Sequence, residues 1–93
     1  MNFTRVQNKV MLEELTMNGF NRQFDVAIRD MDRLTQALID FRKNSEYIEY
    51  DSICKKLADV MIVAEQIAMS VGEDIVAYYI DRRFKGSGES NGD

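Results

Sequence analysis

Apolar residues recur every three or four positions along most of the chain, which is the pattern of helices that bury one side. The longest such segment, residues 51–71, contains one stripe with helical spacing: Ile53, Leu57, Val60, Met61, Ala64, Ile67, Ala68 and Val71. Ile62, Val63 and Met69 lie outside this stripe, so the middle of the segment is apolar on nearly every side. We expect this segment to form the central helix and to be buried from more than one direction.

Three further segments are predicted to be helical, and no useful strand pattern or proline interrupts them. The first helix covers about residues 3–17 and ends at the Asn18-Gly19 turn signal. Asn21 is the expected N-cap of the second helix, residues 22–43, whose apolar stripe is Phe24, Ala27, Ile28, Met31, Leu34, Leu38 and Phe41. A last helix follows Gly72 and runs to about residue 84.

The connection over residues 44–50 is too short to separate domains, so the second and central helices should form an antiparallel hairpin. The sequence therefore predicts an all-α fold, a small antiparallel helical bundle of about four helices in a single domain over residues 1–85. Residues 86–93, with the sequence GSGESNGD, have nothing to bury and are expected to be a disordered tail.

A chain of 93 residues buries only about 60–65 % of its unfolded surface, so its own core is thin. Because 45 % of the residues are hydrophobic, we expect a homodimer or higher oligomer to complete the core. The net charge of −4 argues against strong binding to nucleic acid. No apolar run reaches the roughly 18 residues of a membrane span and no signal-peptide core is present, which predicts a cytoplasmic protein without membrane contact.

The chain contains no histidine, which removes the usual general base at neutral pH, the Ser/His and Cys/His nucleophile pairs and ordinary zinc sites. The one cysteine, Cys54, fits a reducing compartment, and we assign it no role. Any catalysis would have to depend on carboxylates.

Four charged residues border apolar surface on the two helices that should pair. Asp30 and Arg33 lie one turn apart on the second helix, and Lys56 and Asp59 lie one turn apart on the central helix. They are either ordinary surface pairs, each contributing a few tenths of a kcal/mol, or four charges that converge in one cleft. The spacing alone leaves both interpretations open.

Lys55 and Lys56 lie in the first turns of the central helix, where cations oppose the helix dipole. A bound phosphate or carboxylate would relieve this repulsion. Asp51 and Asp59 are the alternative source of negative charge within the chain.

Residues 21–84 resemble the all-α NTP pyrophosphohydrolases of the MazG family, in particular its short, phage-type members. The segment NRQFDVAIRDMDRLTQALIDFRK is similar to the helix in which the family carries E-E-x-x-E, and CKKLADVMIVAEQI is similar to its E-x-x-D helix. In that family four carboxylates from these two helices hold Mg²⁺, which bridges the phosphates of a nucleoside triphosphate and activates the attacking water. On this resemblance the four ligand positions are Asp30, Arg33, Lys56 and Asp59.

Only two of those four positions, Asp30 and Asp59, keep a carboxylate, and the two cations cancel their charge. The resemblance therefore implies a catalytically degenerate protein that binds or sequesters a nucleotide or a nucleotide-derived signal without hydrolysing it and without a cofactor. Arg33, Lys56 and Lys55 would hold its phosphates, with Arg83 contributed by the last helix. The resemblance to phage-type members further implies a role in phage counter-defence, in which the protein would sequester a host signal.

Two other functions stay open at this point. An Mg²⁺-dependent pyrophosphohydrolase would need a rearranged site that uses acids such as Asp32, Asp40 or Glu65. A structural or protein-interaction module would close the four charges into salt bridges. A host protein is a further partner that the sequence leaves open.

Overall fold

The computed structural model describes residues 3–44 and 50–88, and these contain helices and connections but no strand. The predicted all-α class is confirmed. The elements are α1 (Arg5–Asn18), α2 (Phe20–Lys43), α3 (Tyr50–Val71) and α4 (Glu73–Gly88). Within the described ranges, no helix is both long enough and apolar enough to cross a membrane.

The ends of the first two helices follow from local hydrogen bonding and from one glycine. Thr4 and Gln7 form a capping box, in which each side chain accepts a hydrogen bond from the backbone N–H of the other residue. Gly19, with φ of 78°, both ends α1 and precedes α2 directly. The prediction of Asn21 as an N-cap is therefore wrong, because Asn21 already lies inside α2.

The last helix extends further than its sequence predicted. α4 continues to Gly88, so it includes the first residues of the segment expected to be disordered. The rest of that predicted tail, residues 89–93, lies outside the described residues, as does most of the connection between α2 and α3.

α2 and α3 form the predicted antiparallel hairpin. Gln23, near the start of α2, bonds to Gln66, near the end of α3, and the rings of Phe41 and Tyr50 meet at the opposite end with centroids 5.2 Å apart. α1 packs against both helices of the hairpin, whereas α4 packs against α3 alone among the described elements. The hairpin is thus the scaffold on which the other helices are placed.

The centre of the fold is polar. The Gln66 side chain is almost fully buried; its Nε2 donates to the backbone carbonyl of Met11 (3.1 Å) and its Oε1 accepts from Gln23 Nε2. Gln23 Oε1 in turn accepts from Asn18 Nδ2 at 3.2 Å. This network joins α1, α2 and α3. The buried apolar residues around it are few: Met11, Leu15, Ala27, Val63 and Ala68.

The apolar stripe predicted for α2 is rotated relative to the side that packs inward. Ala27 is buried and Leu34 and Phe41 are half-buried, but Ile28, Met31 and Leu38 are exposed. The central helix is similar: in its middle only Val63 is fully buried, and Ile62 and Ala64 are exposed. The prediction that this region is buried from several sides is wrong for the single chain, because Ala64 stays exposed and α1 covers Ile62 only in part, leaving a cavity between them.

One carboxyl group of α3 is held near a second acid. Partial burial raises the pKa of Glu65, and a hydrogen bond with Glu73 at the start of α4, together with the charge of Glu73, raises it further. Arg5 and Lys9 of α1 line the neighbouring cavity next to Glu73.

Replacing Gln66 with leucine should lower the free energy of unfolding by about 1–3 kcal/mol, because it leaves the buried Gln23 amide without its partner. Chemical denaturation followed by circular dichroism measures this change. Gln36→Leu is the matched control, since Gln36 is exposed, and it should change stability by less than about 0.5 kcal/mol. Equal effects of the two substitutions would show that the network does not stabilise the fold.

Replacing Glu65 with glutamine should raise the thermal midpoint at pH 7 and leave it almost unchanged at about pH 4. The folded state binds the Glu65 proton more tightly than the unfolded chain does. Its contribution to stability is therefore present below the ordinary pKa of 4.5 and is lost as the pH rises through the raised pKa. Glu13→Gln, on the exposed side of α1, is the control, and a midpoint that is unchanged at pH 7 in Glu65→Gln would contradict the assignment.

Candidate functional site

A cleft of about 330 Å³ lies between the C-terminal half of α2 and the first turns of α3. The residues of α2 that line it are spaced at three and four positions, and those of α3 are one turn apart, so each helix presents a single side to the cleft. The lining residues are Arg33, Gln36, Ala37, Asp40, Ser52 and Lys56.

Arg33 and Lys56 both line this cleft. Lys56 is half-buried, and its Nζ donates to Ser52 Oγ at 2.8 Å, which holds the ammonium group at the cleft. Neither cation lies within 4.0 Å of a carboxylate in residues 3–44 or 50–88. In particular, Arg33 is not paired with Asp59, the contact expected if these charges served only to close the structure. No acid of the described ranges therefore neutralises either cation.

Asp40 adds one negative charge at the end of the cleft. Its Oδ1 accepts a hydrogen bond from Gln36 Nε2 at 3.0 Å. The described residues that line the cleft therefore supply two cations, one carboxylate, one amide and one hydroxyl. Sequence reasoning weighed Asp40 only as a metal ligand and missed Gln36, although the spacing from Arg33 to Gln36 and Asp40 places all three on one side of α2.

Asp30 and Asp59, the two retained family positions, do not line this cleft. Asp30 is buried and its carboxylate lies 3.5 Å from Arg29 Nε. Asp59 is exposed on α3. The four charges singled out in the sequence therefore do not converge: the two cations line the cleft, and the two carboxylates lie outside it.

Lys55 and Arg83, the other two predicted phosphate-binding residues, also lie outside the cleft. Lys55 Nζ is 3.2 Å from Asp51 Oδ2, and both side chains are exposed, so Asp51 supplies the negative charge that the start of α3 needs. Arg83 is exposed on α4, which does not contact α2 among the described residues.

A rearranged metal site is not assembled by the described residues. Over residues 3–44 and 50–88, no three acidic or cysteine side chains are grouped so that they could hold a metal ion. Asp32 is exposed on α2, and Glu65 lies near the opposite end of the hairpin beside Glu73. Among the described residues that line the cleft, Asp40 is thus the one carboxylate.

No protein-family model matches the chain, and no curated protein or solved structure is significantly similar to it. A functional assignment therefore depends on the cleft and on the chemistry of the residues that line it.

Proposed function

We propose that the protein binds a nucleotide or a nucleotide-derived signal in the cleft between Arg33 and Lys56 and does not hydrolyse it. This is the behaviour expected of a catalytically degenerate MazG-like protein. The observation that carries the proposal is that the two cations line one cleft while the two carboxylates of the corresponding family motif lie outside it.

The phosphates of the ligand would bind to Arg33 and Lys56. An arginine guanidinium can donate two parallel hydrogen bonds to phosphate oxygens, and a lysine ammonium adds a charge that turns freely toward a third oxygen. Because Lys56 is half-buried, its interaction with an anion is less screened than that of a fully exposed lysine. A volume of about 330 Å³ is at the lower end of the range for small-molecule sites.

Asp40 and Gln36 favour a nucleotide over free phosphate. A carboxylate repels an isolated phosphate, but it accepts hydrogen bonds from the hydroxyl groups of a ribose or the amino group of a base. Gln36 offers both a donor and an acceptor beside it. The mixed composition of the cleft therefore fits a ligand with an anionic end and a neutral end rich in donors.

The same composition argues against phosphate hydrolysis. Mg²⁺ takes oxygen ligands and is held through carboxylates as well as substrate phosphates. The positive charges of Arg33 and Lys56 repel such an ion from the cleft, and Asp40, the one carboxylate of the described lining, does not compensate for both. Retaining a bound nucleotide is a sequestering function, and in a phage it would remove a signal used in host defence. A nucleotide ligand of this kind also suits the cytoplasmic location expected from the sequence.

Isothermal titration calorimetry with nucleoside triphosphates and cyclic nucleotides should detect binding to at least one member of the panel. Arg33→Glu and Lys56→Glu should each weaken that binding by about 10- to 100-fold, the loss expected for a hydrogen bond to a charged group. Lys55→Glu is the matched control, because it makes the same change of charge one residue away but outside the cleft, and its effect should stay within about threefold.

The absence of binding to every member of the panel would contradict the proposal, as would an equal loss in Lys55→Glu and Lys56→Glu. Release of pyrophosphate that requires Mg²⁺ and is lost in Asp59→Asn would instead establish the enzyme hypothesis.

A further inference from the structure

We propose that the uncovered side of the α2–α3 hairpin binds a second copy of this chain, so that two hairpins form a four-helix bundle. This inference stands independently of the proposed nucleotide binding. It starts from the excess of exposed apolar side chains: five apolar residues are buried, while seventeen large ones are exposed, among the described residues. Among the described residues, more large apolar side chains are therefore exposed than the single chain buries.

Part of this surface forms two regular rows, which we call the hairpin seam. Both rows alternate steps of four and three residues, the spacing of helices that pack side by side along their length. The α3 row is Tyr50, Cys54, Leu57, Met61, Ala64, Ala68 and Val71, and the α2 row is Phe24, Ile28, Met31, Thr35 and Leu38. Neither row contains a charged residue. Such a run is typical of a helix–helix contact and is not expected on a solvent-facing side.

Most of the seam is accessible in the single chain. Ile28 is 61 % exposed, Leu57 is 44 % exposed and Val71 is 57 % exposed, and the Cys54 thiol is also exposed. Ala68 is the one fully buried member of the two rows. The contact that would explain the seam is therefore not made by the described residues of the same chain.

The two rows lie on the same side of the hairpin. On α2, Ile28 follows the buried Ala27 and Leu38 follows the half-buried Ala37; on α3, Ala64 follows the buried Val63. Each seam residue is thus rotated by about 100° from the side of its helix that packs inward, and the rotation has the same sense when α2 and α3 are each followed from N- to C-terminus. Because α2 and α3 are antiparallel, equal rotations bring both rows to one side.

α1 and the cleft occupy the opposite side. Three residues of α2 that line the cleft each precede a half-buried residue by one position: Arg33, Gln36 and Asp40. They are therefore rotated by about 100° from the inward side of α2, in the sense opposite to the seam residues. α1 is held near this side by the hydrogen bond from Gln66 to the Met11 carbonyl. A partner on the seam would therefore leave the cleft open.

A second copy fits the seam better than an unrelated partner does. The seam offers no charge that would select an oppositely charged protein, whereas an uncharged apolar surface is complementary to itself under a two-fold axis. α2 has 24 residues and is about 36 Å long, and two adjacent helices are about 20 Å wide, so the side covers roughly 700 Å². That is close to the roughly 800 Å² that each partner contributes to a standard interface. Two antiparallel hairpins packed in this way make a four-helix bundle.

Sedimentation velocity of the full chain at about 50 µM should give a mass twice that of the 10.8 kDa protomer. Ala64→Glu places a charge in the middle of the seam and should raise the dissociation constant at least about 100-fold. Met17→Glu is the control, because Met17 is 85 % exposed but lies on α1, and this variant should remain dimeric. Circular dichroism of each variant checks that the helices are formed.

A second variant keeps the inference testable if Ala64→Glu does not fold. Thr35→Leu replaces the one hydroxyl in the α2 row with an apolar side chain and should lower the dissociation constant by about tenfold. A wild-type protein that sediments at 10.8 kDa contradicts the inference. So does a dimer that is unaffected by Ala64→Glu, equally weakened by Met17→Glu or unchanged by Thr35→Leu. Loss of nucleotide binding with the dimer intact would contradict only the proposed function.

Discussion

The hydrogen bonds of the buried Gln66 side chain fix how α1, α2 and α3 lie against one another. A shift of α2 along α3 by one turn, about 5.4 Å, would separate Gln23 from Gln66. It would leave buried amide groups without partners, at a cost of about 1–3 kcal/mol each. The apolar core is small, so this penalty is a large part of what selects one register. The same register sets Arg33 beside Lys56.

The hairpin has two unlike sides because polar and apolar residues flank the same inward row. On α2, Arg33 and Thr35 lie on either side of the half-buried Leu34, and Gln36 and Leu38 lie on either side of Ala37. One side therefore carries the cleft and supports α1, and the other carries the seam. The proposed ligand binding and the proposed association between chains would therefore not compete for surface, since the cleft and the seam face in opposite directions.

The sequence predicts the helices, but not how the helices are rotated. Helical spacing located α1 to α4 and put Arg33 and Lys56 on the two helices that pair, but it did not decide whether their charges share a cleft. It did not show which of two neighbouring apolar rows on α2 packs inward, because both rows satisfy the same periodicity. Gln66 was missed for a related reason: a glutamine within an apolar helix has the composition of an exposed position, and its burial depends on partners from α1 and α2 that local sequence does not specify.

The central claim is that the register of the hairpin creates an anion-binding cleft on one side and leaves the other side to a different contact. Titration of the isotope-labelled protein with a nucleoside triphosphate in the absence of Mg²⁺, followed by NMR of its backbone amides, tests it most directly. The account predicts that the largest shift changes occur at Arg33, Gln36 and Lys56, with those of Ile28 and Ala64 unaffected. Shift changes centred on the seam or on α1, or none at saturating nucleotide, would contradict it.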